Sequence, residues 1–414
     1  MPHTPHPPHP LRTRPFRLLF AGRALSFVGD AVIPAALTIA VHQATGSTSA
    51  LALVLACAMV PKLLLLPLGG VVGDRFNART VALTTDLVRC AAQLLVGVEL
   101  LSGRPTLWVI AAAGAVGGAA GAFAMPTTSP LVTGTVPPDG LARANAAMGV
   151  AGSVARLGGP ALAGLLVLTS GPGWAFVLDA ATFAASAALL AAVRVAHVPV
   201  GRRPFLADLR EGWQEVRSRD WYWTSLVAHA AWNGAAAVLM TLGPAVALTR
   251  LGGAGTWVAF LQAGAVGLLL GSLLAGRVHP RRPVLTANLG LATYALPLVA
   301  LAVAAPAPLT IAAYGVAHMG LGFLSPVWQT TVQRAIPPHA LARVTSYDWL
   351  LSLAAMPLGY ALAPPAAALW GPEIPLAAAA LAVAALCAGT ALVPGVRRVT
   401  TVTHPGVERV QTQV

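Results

Sequence analysis

Asp30, Lys62, Asp86, Arg89, Arg156, Asp179 and Asp348 each stand inside an apolar run long enough to cross a bilayer. An ionised side chain at that depth costs on the order of 3 kcal/mol unless it is paired or faces water, so such residues mark proton, ion or substrate paths. A carboxylate there can carry a proton, which makes Asp30, Asp179 and Asp348 the coupling candidates, Asp30 foremost. Asp30 precedes Pro34 near the middle of its run and Lys62 follows Pro61 well inside the next. Facing each other, they would make either a structural salt bridge or a proton-linked pair. Asp86 and Arg89, three residues apart, share a helix face and are read as gate residues. Arg156 and Asp179 suit substrate binding or structural pairing equally. His229 and His318 could titrate near physiological pH, although a neutral, hydrogen-bonded histidine is the commoner case. Asp348, between Tyr347 and Trp349, could instead cap a gate.

A second cluster of chemistry lies in Gly70-Val71-Val72-Gly73-Asp74-Arg75-Phe76-Asn77-Ala78-Arg79, a charged hinge between two apolar runs. An acid at a helix carboxyl end meets the negative pole of the macrodipole, so Asp74 must find donors. Arg75, Arg79 and the amino terminus of another helix are the candidates. Gly70 and Gly73 allow close backbone approach, and Asn77 can take the left-handed conformation of a tight reversal.

No Gly-Lys-Ser/Thr phosphate loop, metal-binding His/Glu pair or nucleophile elbow occurs, so neither an enzyme nor direct drive by ATP is expected. Cys57, Cys90 and Cys387 stand apart in apolar surroundings and read as small hydrophobes; no metal or cofactor is expected.

The elements that position these groups follow from composition. At 414 residues, 57% hydrophobic and only 9% charged, the chain falls far below the roughly 25% charge of soluble domains. It reads as an all-α polytopic membrane protein. Apolar runs predict twelve helices over 17–41, 50–72, 79–101, 107–132, 143–169, 173–193, 222–248, 256–276, 284–304, 308–332, 346–369 and 375–393. With the amino terminus inside, the loops facing outward hold only Arg104 and Arg250, Lys62, Arg89 and Arg156 lie within helices, and every other basic residue falls on the inner side. This asymmetry places both termini in the cytoplasm of a plasma-membrane protein and removes nucleic acid as the explanation of the net charge of +13.

Residues 1–14 read as a disordered cytoplasmic segment, 15–193 as one six-helix half, 194–220 as a cytoplasmic linker, 221–394 as a second half and 395–414 as a cytoplasmic tail. Within the linker, Leu206, Leu209, Trp213 and Val216 fit an amphipathic helix on the inner membrane surface, against the alternative of a solvated connection. Pro137-Pro138-Asp139-Gly140-Leu141-Ala142-Arg143 returns as Pro337-Pro338-His339-Ala340-Leu341-Ala342-Arg343, and Phe123 and Pro126 return as Phe323 and Pro326 at the same offset of 200. Duplication of a six-helix unit gives copies of the same orientation. The second hinge keeps Gly271, Gly276, Arg277, Arg281 and Arg282 but has no Asp, so the two gates should differ.

Gly70, Asp74, Arg75 and Arg79 resemble the loop between helices 2 and 3 of the major facilitator superfamily, with Asn77 where Gly is usual. Gly159, Pro160 and Gly164 are similar to the helix 5 element of its proton-driven exporters, where the Gly-Pro step is expected to bend the helix. Together with Gly29-Asp30 and Leu178-Asp179-Ala180, they make about residues 15–395 look like the branch containing enterobactin and macrolide exporters. The resemblance implies twelve helices in two pseudo-symmetric halves, alternating access, and a hinge that braces the cytoplasmic gate. It also implies a central cavity lined by helices 1, 4, 7 and 10. Thr127-Thr128, Trp232-Asn233 and Trp328-Gln329, beside Lys62, Arg156 and His318, would then offer aromatic faces and hydrogen bonds to a substrate. Interfacial anchoring is the other reading of the tryptophans.

The expected function is secondary export of an amphipathic small molecule, such as an antibiotic or siderophore, in exchange for protons. An importer or lipid flippase on the same scaffold, and a non-transporting receptor or assembly factor, are the alternatives. The implied partners are the small molecule, protons and the lipid bilayer, with no obligate protein partner.

Overall fold

The computed structural model describes residues 10–45, 48–103, 105–193, 205–404 and 407–411. Most of the amino-terminal segment expected to be disordered, and the first part of the linker, lie outside the described residues. Among the described residues 12 helices are long and apolar enough to span a membrane. Spans 1 to 6 are Arg14–Thr45, Leu53–Arg75, Ala78–Leu101, Leu107–Thr133, Pro138–Ser170 and Pro172–Ala192. Spans 7 to 12 are Asp220–Arg250, Gly255–Ala275, Pro283–Ala302, Ala307–Ala335, Leu341–Trp370 and Glu373–Leu392. A bilayer forces this solution, because every backbone N–H and C=O in hydrocarbon must be satisfied within its own helix.

Two boundaries differ from the sequence reading in a way that matters. Span 11 starts at Leu341 rather than 346 and is built of two pieces, Leu341–Leu353 and Met356–Trp370. Its first turn therefore contains Arg343, whose charge had suggested a loop. Pro357, lacking an N–H, sits at the start of the second piece, where no intrahelical partner is needed. Span 5 likewise begins earlier than 143, at Pro138.

Span 6 packs on spans 1 and 3, span 4 packs between spans 2 and 3, and span 5 lies on span 1. In the second half span 10 packs on 8 and 9, and span 7 on 11 and 12. Small residues bring the backbones close: a Cβ at Gly118 would stand 2.0 Å from the Ala58 carbonyl oxygen, and one at Gly267 2.0 Å from that of Gly315. Between halves, span 5 meets spans 8 and 10, and the first piece of span 11 meets spans 2 and 4. The second piece of span 11 packs on spans 7 and 12 of its own half.

The linker forms a helix, Phe205–Arg217, but does not simply lie on a membrane surface. Leu206 is 77% and Trp213 40% exposed, whereas Asp208 and Val216 are buried against the bundle. The tail adds an antiparallel hairpin of Thr400–His404 with Val407–Gln411, which the sequence reading did not foresee. The bundle end that carries the hinge and the linker helix is called the basic end below.

Candidate functional site

Two polar systems emerge, a latch at the basic end and a charged seam inside the first half.

Asp74 occupies the last turn of span 2, where its carboxylate would meet unsatisfied carbonyls. It is satisfied instead by the amino terminus of span 11: Ala342 N–H donates at 2.9 Å, Arg343 N–H at 3.1 Å and Arg343 Nε at 2.8 Å. A helix N-terminus supplies both free N–H groups and the positive pole of the dipole. The glycines make the approach possible, since a Cβ at Gly70 would lie 2.2 Å from Ser346 Oγ and one at Gly73 3.0 Å from Ala342 Cβ.

Of the three donors suggested by the sequence, the helix terminus serves Asp74. Arg75 Nε and Nη2 both reach Asp208 of the linker helix at 2.7 Å. Arg79 donates to the carbonyls of Leu190, at 2.9 Å, and Ala191. Arg343 Nη1 also reaches Asp208 at 3.3 Å and Glu211 at 3.2 Å, so the linker helix closes a network of both halves. Asn77 is not left-handed: at φ −59° it caps span 3, its side chain accepting from Arg79 N–H at 2.9 Å. The sequence reading missed Arg343 and Asp208; the repeated Leu-Ala-Arg was the one signal for Arg343.

The seam lies between spans 1, 3 and 6. Arg89 Nη2 meets Asp30 at 2.5 Å and its guanidinium carbon lies 4.0 Å from the Phe183 ring centroid. Asp30 thus pairs with Arg89 and not with Lys62, which makes no ion pair among the described residues. Arg23, assigned from sequence to the inner side, is buried 3.6 Å from Asp86, which also accepts from Ser186 Oγ at 2.7 Å. Asp86 and Arg89 therefore belong to the seam; the structure does not bring them to the hinge with Asp74 and Arg75. Asp179 is wholly buried and, among the described residues, takes only neutral donors, Gln93 Nε2 at 2.5 Å and Thr182 Oγ1 at 3.4 Å. It presses on span 1 so closely that a Cβ at Gly29 would stand 2.0 Å from its Oδ1. Span 5 closes the seam from the side, where a Cβ at Gly159 would lie 2.5 Å from that of Ala31. The helix runs on through Pro160, and Gly164 faces open space. Three carboxylates thus share two guanidiniums, and among the described residues Asp179 is the one of the three without an ion pair.

Asp348 sits in a separate pocket of the second half. Trp328 Nε1 donates at 2.6 Å, Tyr222 Oη at 3.0 Å and Ser352 Oγ at 3.2 Å. Trp328 stacks on Tyr222 with ring centroids 5.2 Å apart and is buried, so it offers no cavity surface as the sequence had suggested. Thr127 is withdrawn for the same reason: it is fully buried and donates to its own helix at Ala124. Thr128 is half-buried. Gln329 accepts from Ser129 Oγ at 3.0 Å, tying spans 4 and 10, while Asn145 donates to Gln333 at 2.7 Å, tying spans 5 and 10. Asn233 spends its amide on the His229 carbonyl at 3.0 Å. Trp232 and His318 remain half-buried beside Tyr294, and Arg156 is exposed on span 5. Between described residues, the hydrogen bonds joining the halves lie from the basic end to no farther than the middle of the spans.

Residues 19–351 match the Major Facilitator Superfamily. The chain belongs to this superfamily. It is similar to macrolide efflux protein A of Streptococcus pyogenes, 21% identical over 357 residues covering 84% of this chain and 88% of that protein. The multidrug efflux pump Tap of Mycobacterium tuberculosis is 28% identical over 369 residues, covering 84% and 86%. In fold it resembles a bacterial homologue of the iron transporter ferroportin in an outward-facing state, with TM-score 0.74, 19% identity and coverage of 91% and 98%. The E. coli fucose:proton symporter follows with TM-score 0.69, 16% identity and coverage of 91% and 98%. This major facilitator protein is accordingly a multi-pass membrane transporter of small molecules, and not an enzyme.

Proposed function

We propose that the chain exports an amphipathic small molecule, such as an antibiotic or siderophore, in exchange for protons. The observation that carries this reading is the seam: three acids, two guanidiniums and a buried Asp179 held by neutral donors. Deprotonated, these three acids and two guanidiniums sum to one negative charge and with one proton to zero, with the Lys62 ammonium within electrostatic reach of Asp30 and Arg89. A neutral seam suits the change of orientation, because a net charge in low dielectric is costly. Arg89 can serve Asp30 or Asp179, so a proton taken by one acid releases the guanidinium to the other. Asp30, the acid favoured from sequence, and Asp179 then act as one relay, with Asp348 outside it. Export rather than import is favoured by the efflux proteins among the relatives.

The excess of basic residues in the loops of that end supports a cytoplasmic position for the basic end and both termini. The conformation described, latched at that end by Gly70, Asp74, Arg75 and Arg343, is then open outward. Reversal requires the latch to part and the halves to rock.

The test is dequenching of a pH-sensitive dye in energised inside-out vesicles, challenged with a panel of antibiotics and siderophores. Collapse of the proton gradient by a compound, absent from vesicles lacking the protein, is the expected result. Accumulation running in the importing direction would sink the proposal.

A further inference from the structure

Arg23, Arg75, Arg89 and Arg343 each have an acidic partner within 4.0 Å. Arg156 does not: it lies midway along span 5, is exposed, and has no carboxylate within ion-pair distance among the described residues. An intramembrane arginine is tolerated where it faces water or meets an anion, and its guanidinium fork matches a carboxylate or sulfonate. His318 of span 10 is within electrostatic reach of Arg156 of span 5, so the two halves bring these side chains near one another.

Around His318 the wall is aromatic. Its ring lies 4.0 Å from Tyr314, 5.8 Å from Tyr294 and 6.4 Å from Trp232, centroid to centroid. Trp232 Nε1 is buried without a hydrogen-bond partner, a donor left in hand. Asn233, next to it, has already spent its amide on its own helix. A strong donor surplus without an acidic acceptor calls for a ligand that brings negative oxygen and flat apolar surface together.

We propose that the molecule carried is an anionic aromatic amphiphile, its acidic group bound by Arg156 and its rings laid against Trp232 and His318, which the buried Tyr294 backs. This rests on the exporter reading above and narrows it to a charge class. A cationic amphiphile at the same place would meet an unpaired guanidinium and no carboxylate.

Two dyes sharing a xanthene ring separate the cases: fluorescein, an anion, and rhodamine 123, a cation. Full-length protein in energised inside-out vesicles is expected to accumulate fluorescein at least tenfold faster. Arg156→Ala should lower the fluorescein to rhodamine ratio about tenfold, the scale of one charge-assisted hydrogen bond, and Arg156→Lys should recover part of it. A merely structural role for Arg156 would slow both dyes alike and leave the ratio unchanged, which would overturn the proposal. Rhodamine 123 moved in preference, or neither dye moved while another compound discharges the gradient, overturns the anionic assignment and leaves export standing. No gradient-driven movement of either dye or of any panel compound counts against both readings.

Discussion

Asp74 at the end of span 2 and Arg343 at the start of span 11 hold carboxylate and guanidinium 2.8 Å apart, with side chains only 3% and 2% exposed. The same carboxylate accepts two N–H groups of span 11. One acid thereby fastens one half of the transporter to the other. Arg143, which the 200-residue repeat places opposite Arg343, faces solvent, and the second hinge has no Asp to meet it. The latch is single.

Asp74→Ala leaves Arg343 buried without that partner, a loss of about 3–5 kcal/mol from the latched form. The population should move toward a form open at the basic end. In a chain freed of Cys57, Cys90 and Cys387, thiol labelling of Ser129→Cys, a position buried opposite Gln329, should speed up several-fold. Unchanged labelling contradicts the latch.

Asp208→Ala removes an acid shared by Arg75 and Arg343 and should accelerate the same labelling. Because the residues form one network, the Asp74→Ala and Asp208→Ala effects should fall short of additivity by about 0.5 kcal/mol or more in a double-mutant cycle. Strict additivity would make the linker helix a bystander.

Much of this was legible in the sequence, and the limits are physical. Bilayer thickness fixes helix length, so twelve spans could be counted from apolar runs, and the hinge disclosed itself because Asp74 sits where a helix dipole opposes it. Partner choice was another matter. Spacing puts Asp86 and Arg89 on one face of span 3 but says nothing of how span 3 is turned toward span 1, so Asp30 was matched to Lys62 when Arg89 holds it. Trp328 and Thr127 read as cavity residues from sequence because a helix apolar all round carries no sign of which face looks inward.

Asp179→Asn keeps the size of the side chain and its place beside Gln93 and Thr182 but abolishes the titratable acid. Folding should persist, shown by a monodisperse elution profile, while accumulation against a gradient is lost. Asp30→Asn should do likewise, since it strands Arg89 beside Asp179. Full accumulation by both variants removes the seam from coupling.

Gly29→Ala would drive a methyl group to 2.0 Å from Asp179 Oδ1. Overpacking of this kind costs about 1–3 kcal/mol, so the thermal unfolding midpoint should fall by several degrees. An unchanged midpoint would mean that spans 1 and 6 separate easily there.

Trp328→Phe and Trp232→Phe distinguish core from cavity. The first deprives the Asp348 carboxylate of a 2.6 Å donor and should cost about 1–3 kcal/mol of stability with little change in substrate KM. The second should raise KM with little loss of stability. The reverse pattern would exchange their roles.

The most direct test of proton-coupled export follows substrate and proton together in proteoliposomes, for the wild type and for Asp179→Asn. The wild type should move the compound uphill with opposite proton flow, and the variant should only exchange compound across the membrane, with no proton movement. Equal proton-driven accumulation by both proteins would contradict the account.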